Sequence, residues 1–167
     1  IERQRAHLQQ IAEIQQHARF REQAISVLSD PKTKGAFEVE NADHKLVARY
    51  GKNKFGRSCL MAYRLVSSGV NYVQVNLGKN SSWETHDRNF VNLKNNLLPP
   101  MDRAISALLD DLIDSGLSKE TLLIVGGEFG RTPKINKNAG RDHWSPTNTV
   151  LFAGAGVQGG NVLGATD

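Results

Sequence analysis

The stretch that decides the expected fold reads TLLIVGGEFGRTP and occupies residues 121–133. It opens with a nearly continuous apolar run of strand length. Such a run is typical of a strand that is covered on both faces, as in a parallel sheet between helices. A glycine-rich turn follows and carries Glu128 and Arg131, and its glycines allow backbone and ligand to approach closely. Because α/β proteins bind ligands outside the carboxyl ends of their strands, this turn is a candidate functional loop.

Segments on either side complete the predicted sheet. Residues 70–77 alternate apolar and polar side chains, which is the period of a strand, and a further apolar run covers residues 148–153. Helical periodicity extends over residues 55–68 and 100–115, and a glycine follows each of these segments. This order of elements predicts an α/β fold with a mostly parallel sheet flanked by helices, in which residues 121–126 form one strand.

The first part of the chain has a different pattern. Apolar residues recur at helical spacing over residues 1–30, interrupted at Arg21, and a loop continues to residue 40. We therefore divide the chain into an N-terminal helix and linker, residues 1–40, and an α/β region, residues 41–167. Because its apolar stripe is broken, the helix is expected to pack loosely or to protrude. The chain starts within a helical pattern and without Met, so we expect a fragment of a longer protein.

The composition excludes several classes of protein. The chain has 167 residues, with 21 Lys and Arg against 17 Asp and Glu, which is a formal net charge of +4. This excess is mild and the basic residues form no run, so specific nucleic-acid binding is not expected. The single cysteine, Cys59, excludes an internal disulfide and a multi-cysteine zinc site. No apolar run approaches the ~20 residues of a membrane span.

Two loops concentrate the residues that could carry chemistry, residues 83–87 and 126–144. If the strands that precede them are parallel neighbours, both loops leave the same edge of the sheet. The residues expected to converge there are Glu84, His86, Glu128, Asp142 and His143. Imidazole and carboxylate ligands together suit zinc, manganese or iron, and an arginine beside them can clamp a phosphate or sulfate. The alternative, of about equal weight from spacing alone, is a set of loop-capping carboxylates, solvated histidines and a surface ion pair at Arg131.

Five ordered strings of this sequence resemble a known bacterial family, the "domain of unknown function 1501". They are FGRSCL at 55–60, WETH at 83–86, GEFGRTP at 127–133, GRDHW at 140–144 and GATD at 164–167. The resemblance covers about residues 41–167, and the family is grouped with the alkaline phosphatase and sulfatase superfamily. It implies the C-terminal half of an alkaline-phosphatase-like α/β domain.

The resemblance also implies roles for individual residues. Glu84 and His86 match an acidic residue and a histidine that bind one metal, and His143 matches a distal histidine of that site. Glu128 matches a strand-end acid that serves a second metal. The sequence departs from the pattern at Glu84, where the family usually has Asp, and at Phe129, where phosphatases commonly carry a histidine.

These observations lead to one expected function and two alternatives. The first is a fragment of a metal-dependent hydrolase of phosphate or sulfate esters, in which Arg131 orients the anion. The metal is expected to be zinc, with manganese, iron or calcium as alternatives. By the resemblance, the nucleophile belongs to an N-terminal half of the same domain, so this chain alone should be inactive. The sequence leaves the location open, and the resemblance is compatible with an exported or periplasmic one. The main alternative is a non-catalytic metal- or anion-binding or structural protein, and a weaker one is an anion- or nucleic-acid-binding surface.

Overall fold

In the computed structural model of this chain, residues 2–76 and 81–165 are described, with side chains from residue 13 onward. The helices are α1 (Glu2–Ser29), α2 (Pro31–Phe37), α3 (His44–Tyr50), α4 (Lys54–Ser67), α5 (Asn89–Asn92) and α6 (Leu98–Asp114). Short 3-10 turns cover Val39–Asn41 and Leu117–Lys119, and a π turn covers Leu93–Leu97. The strands are β1 (Leu122–Gly126), β2 (Gly130–Arg131), β3 (His143–Trp144) and β4 (Val150–Gly154).

Helices α4 and α6 form the centre of the hydrophobic core. Each has a strongly one-sided apolar face, and Leu60 of α4 and Ala104 of α6 are fully buried where the two helices pack. The Asn53 side chain starts α4 by accepting a 2.9 Å hydrogen bond from the Gly56 backbone N–H. A side chain at Gly56 would run into the backbone carbonyl of Tyr50, so glycine allows α4 to approach the end of α3. Full burial of one leucine is worth about 1.5–3 kcal/mol.

A polar cluster links α3 to α6 and consists of Tyr50 and Asp111, which are buried, and Arg49, which is exposed. The Tyr50 hydroxyl donates a 2.6 Å hydrogen bond to Oδ2 of Asp111, and Nη2 of Arg49 lies 2.6 Å from Oδ1 of the same carboxylate. Burial and the hydrogen bond to Asp111 raise the pKa of Tyr50 well above its usual value. Both carboxylate oxygens therefore have protein partners, one in the helical core and one at its surface.

The mostly parallel, alkaline-phosphatase-like sheet expected from the sequence is wrong. In the described part of the chain, β1 pairs with β4 and β2 pairs with β3, and both pairs are antiparallel. A parallel neighbour requires a crossover, usually a helix, that returns the chain to its starting edge. The connection between β1 and β4 contains turns and the β2–β3 pair but no helix, so β4 runs back along β1. The architecture is mainly helical with small antiparallel sheets.

The apolar run that suggested a doubly covered strand is covered on one face. Leu123 packs against the helical core, whereas Leu122 and Ile124 are 46% and 57% exposed. The strand expected at residues 70–77 is wrong over residues 70–76, because these residues form no ladder with another segment. Leu77 lies outside the described residues. Alternation predicts an extended conformation, but it does not supply the neighbouring strand that a ladder needs.

Helix α1 agrees with the helix expected over residues 1–30. Every side chain from residue 13 to residue 29 is exposed, including Ile14 and Ile25, so this part of the helix packs loosely as expected. Ile11 lies outside the described side chains. Among the described residues, no helix is both long and apolar enough to cross a membrane.

Candidate metal centre

The first part of the site is the loop between residues 81 and 88, which is held by backbone hydrogen bonds to a distant segment. The Arg141 N–H donates to the Thr85 carbonyl at 3.1 Å, and the Arg88 N–H donates to the Asn138 carbonyl at 3.0 Å. A side chain at Gly140 would collide with the backbone carbonyl of His86, so glycine permits this close approach. These contacts bring His86 next to the segment that follows residue 135.

The second part of the site is the β2–β3 pair. Arg131 stands directly opposite His143 in the register of this antiparallel pair. The Thr132 N–H extends the pairing by donating to the Asp142 carbonyl at 2.9 Å. A side chain at Gly130 would meet Thr147, so this position also needs glycine. The short sheet therefore places an arginine and a histidine side by side.

Three side chains of the two loops converge, and we refer to Glu84, His86 and His143 as the triad. Oε2 of Glu84 lies 2.5 Å from Nε2 of His143 and 3.2 Å from Nε2 of His86, and the two Nε2 atoms are 3.2 Å apart. A tetrahedral zinc site with bonds of about 2.0–2.1 Å separates its ligand atoms by about 3.3 Å. The two separations that involve His86 are close to this value, whereas the Glu84–His143 separation is that of a hydrogen bond and would have to widen to admit one zinc-sized ion. Its side chains are 42–48% exposed, which leaves room for a further ligand.

Charged neighbours shift the proton equilibria of the triad. The hydrogen bond from His143, with a further contribution from Arg131, lowers the pKa of Glu84 to about 2. The hydrogen bond to Asp142 raises the pKa of His86, while the nearby Arg131 opposes this shift. The pKa of Asp142 is lowered, first by His86 and then by Asn136. Glu84 is therefore ionised over the whole physiological range, as a metal ligand must be.

Arg131 contacts the triad and also lines a cavity of about 370 Å³. Its Nη2 donates to the Trp83 carbonyl at 2.9 Å and lies 3.2 Å from Oε2 of Glu84. Arg141 also lines the cavity; its guanidinium carbon lies 5.3 Å from the centre of the Phe90 ring, and its Nε is buried without a hydrogen-bond partner. Two arginines facing one cavity favour an anionic occupant.

The structure brings some of the predicted site residues together and leaves one apart. It brings Glu84, His86 and His143 together and places Arg131 beside them. Glu128 is exposed and does not belong to the group of ligand atoms that lie within 4.8 Å of one another among the described residues. Glu128 was expected at the edge of a parallel sheet, whereas the triad is built on loops and on the β2–β3 pair.

Sequence reasoning missed one residue and left another without a role. Asp142 was expected to converge with the histidines but was given no role, and its Oδ1 lies 2.8 Å from Nδ1 of His86. Asn136 was not singled out, although its side chain contacts both His86 and Asp142. The turn-forming string NKNAG at residues 136–140 is the signal that could have pointed to it.

Comparison with known proteins gives one family match. The family described as "Protein of unknown function (DUF1501)" matches residues 1–167. The chain belongs to this family. The match includes α1 and α2, so the family's pattern extends beyond the region that the five strings cover. No curated protein and no solved structure matches the chain.

Proposed function

We propose that the triad binds one divalent metal ion, with zinc as the preferred metal. The observation that carries this proposal is the spacing of three ligand atoms from two loops, with separations of 2.5–3.2 Å. Two imidazoles and one carboxylate are the ligand set of several catalytic zinc sites, in which a fourth position stays open. Manganese and iron accept the same donors, whereas calcium prefers oxygen ligands, so the two histidines favour zinc over calcium.

We further propose that the intact protein is a hydrolase of phosphate or sulfate esters. A bound metal would polarise an ester oxygen and stabilise developing negative charge. Arg131 would hold the anion, because its guanidinium borders both the triad and the cavity, and Arg141 would add positive charge to the cavity wall. The resemblance of the site strings to the alkaline phosphatase and sulfatase superfamily supports the same substrate class.

A non-catalytic metal- or anion-binding protein is the second candidate. The triad contacts Asp142, Arg131 and Phe129, whose side chains can position a ligand without taking part in a reaction. Cys59 is unsuited to act as a nucleophile, because it is buried in the core and burial raises the pKa of its thiol to about 11. The exported location and the absence of nucleic-acid binding stay predictions.

Metal binding is tested first, by zinc titration of the purified chain against a competing chelator. We expect one zinc per chain, and His86→Ala and His143→Ala should each weaken binding by more than about 100-fold. His17→Ala is the matched control, since His17 is exposed on α1 far along the chain from the triad. Absence of zinc binding, or equal binding by all three variants, would refute the metal centre.

Activity separates the two candidate functions. Aryl phosphates and aryl sulfates are the probes, and we expect hydrolysis that His143→Ala abolishes. Arg131→Lys should weaken substrate binding while zinc content is unchanged, because lysine keeps the charge but loses the planar fork of donors. Stoichiometric zinc with no turnover of either ester would favour the non-catalytic protein.

A further inference from the structure

We propose that Asp142 is the positioning residue of this centre and that it holds the His86 ring with its proton on Nδ1. We infer that Asn136 in turn holds Asp142. This inference rests on the proposed metal centre and adds to it the residues that prepare one ligand before metal arrives.

The contacts of the two ring nitrogens of His86 are the first argument. Nδ1 lies 2.8 Å from Oδ1 of Asp142, whereas Nε2 faces the other two members of the triad at 3.2 Å. A neutral imidazole carries one proton, and a carboxylate can only accept a hydrogen bond. The proton is therefore held on Nδ1, and the lone pair of Nε2 is directed toward the triad. Metal-binding histidines commonly donate their second ring N–H to a carboxylate in this way.

The Asn136 side chain is the second argument, because it uses both ends of its amide. Nδ2 donates to the His86 carbonyl at 2.9 Å and to Oδ1 of Asp142 at 3.2 Å. Oδ1 accepts from the N–H groups of Asn138 and Gly140 at 2.9 and 3.0 Å. The Asn136 side chain thus contacts the backbone of His86, the carboxylate that orients the His86 ring, and the turn at residues 136–140.

The backbone of Asp142 is fixed independently of this amide. The Thr132 N–H donates to the Asp142 carbonyl at 2.9 Å, and the Thr132 hydroxyl accepts from the Asp142 N–H at 3.1 Å. The carboxylate therefore projects from a paired segment of chain rather than from a free loop. These contacts fix the backbone from which the carboxylate reaches Nδ1 of the His86 ring.

The second histidine of the triad is held in a different way. Both described hydrogen-bond contacts of the His143 ring use Nε2, and the ring packs against Phe129 with a centroid distance of 4.5 Å. Loss of the Asp142 carboxylate should therefore affect the proton position of His86 and leave that of His143 unchanged. This selectivity distinguishes positioning from a general loss of structure.

The test compares Asp142→Asn with Asp87→Asn. Asp87 is the next residue after His86 and is exposed, and its carboxylate pairs with Arg88 rather than with the histidine. Nitrogen-15 NMR of the metal-free chain, at a pH where the rings are neutral, reports which nitrogen of His86 carries the proton. We expect Nδ1–H in the parent chain and in Asp87→Asn, and a mixture of both tautomers in Asp142→Asn, because an amide can donate as well as accept.

Zinc affinity is the second measurement. We expect Asp142→Asn to weaken zinc binding by about 10–100-fold, the range found for outer partners of metal ligands, and Asp87→Asn to leave it unchanged. Asn136→Ala retains the Asp142 carboxylate but removes the amide that holds it. It should therefore weaken zinc binding as well, by a smaller factor than Asp142→Asn. This variant also provides a test if Asp142→Asn does not fold.

The outcomes separate this inference from the proposed function. If the parent chain binds zinc but His86 carries its proton on Nε2, or Asp142→Asn changes neither tautomer nor affinity, the positioning role is refuted and the metal centre stands. If the parent chain binds no zinc, the metal centre fails, and the tautomer measurement still decides whether Asp142 orients His86.

Discussion

The chain contains two clusters of charged and polar side chains that contrast in almost every respect. The cluster of Arg49, Tyr50 and Asp111 lies between two helices, and the carboxylate at its centre is only 11% exposed. The triad lies on loops and on a two-residue strand, and its side chains are close to half exposed. Both are networks of short contacts around a carboxylate.

The two clusters differ in the partners of their polar atoms. In the buried cluster each oxygen of Asp111 already has a protein donor, so the network is complete and links α3 to α6. In the triad, two imidazole nitrogens and a carboxylate oxygen face one another near the surface, and the proposed metal centre rests on this arrangement. The first cluster thus serves stability, and the second is suited to a ligand.

The largest expected effect comes from breaking the buried cluster. Asp111→Ala removes the partner of the Tyr50 hydroxyl and of Arg49, so the free energy of unfolding should fall by about 3 kcal/mol. Chemical denaturation measures this change. Asp110→Ala, at the exposed neighbouring position, is the control and should change stability by less than about 0.5 kcal/mol. Zinc affinity of a folded Asp111→Ala chain should equal that of the parent, and a large loss there would link the two clusters.

Zinc binding at the triad should stabilise the folded chain. At a free concentration 100-fold above its Kd, zinc is expected to raise the free energy of unfolding by about 2.7 kcal/mol through mass action. His143→Ala should abolish this gain while changing the metal-free stability by less than about 1 kcal/mol, because the site is exposed. Denaturation with and without zinc measures both numbers. A stabilisation that persists in His143→Ala would place the metal elsewhere.

A smaller effect is expected from pH in the metal-free chain. Glu84 has a folded pKa of about 2, below its usual value near 4.5, so its stabilising contribution is present above about pH 4.5 and is lost as pH falls toward 2. His86 has a raised pKa, so its contribution is present below about pH 6.5 and is lost as pH rises through the folded value. The triad should therefore add most stability between these limits.

Glu84→Gln tests this pH dependence. The variant should lose part of the stability between pH 4.5 and 6.5 and should lose less on acidification than the parent, as measured by denaturation across pH. Asp87→Asn is the matched control. Since the Glu84–His143 pair is exposed, the difference in stability between parent and Glu84→Gln should shrink in high salt. An identical pH profile for parent and Glu84→Gln would show that the contacts within the triad are not held in solution.

The smallest expected effect comes from Glu128. Because this side chain is exposed and outside the triad, Glu128→Gln should change zinc affinity by less than about threefold. The same chelator competition measures it. A tenfold loss of zinc affinity would indicate that Glu128 is a ligand, and the turn after β1 would then have to move on binding.

Local periodicity predicted much of the secondary structure. The helices expected at 55–68 and 100–115 correspond to Lys54–Ser67 and Leu98–Asp114, and the strand expected at 121–126 corresponds to Leu122–Gly126. Strand direction was predicted wrongly, because an apolar run reports burial but carries no information about which neighbour pairs with it. Residues 70–76 show the same limit, since their alternation is compatible with an extended chain that has no ladder.

The sequence by itself determined the donor chemistry of the site: the types and spacing of Glu84, His86 and His143, and an arginine close to them. Tertiary structure decided which donors meet. Long-range backbone contacts, such as that between Thr85 and Arg141, bring residues 56 to 59 positions apart into contact, and they leave Glu128 outside. Propensity acts over a few neighbours, whereas the triad depends on the hydrogen bonds of two loops that only the folded chain brings together.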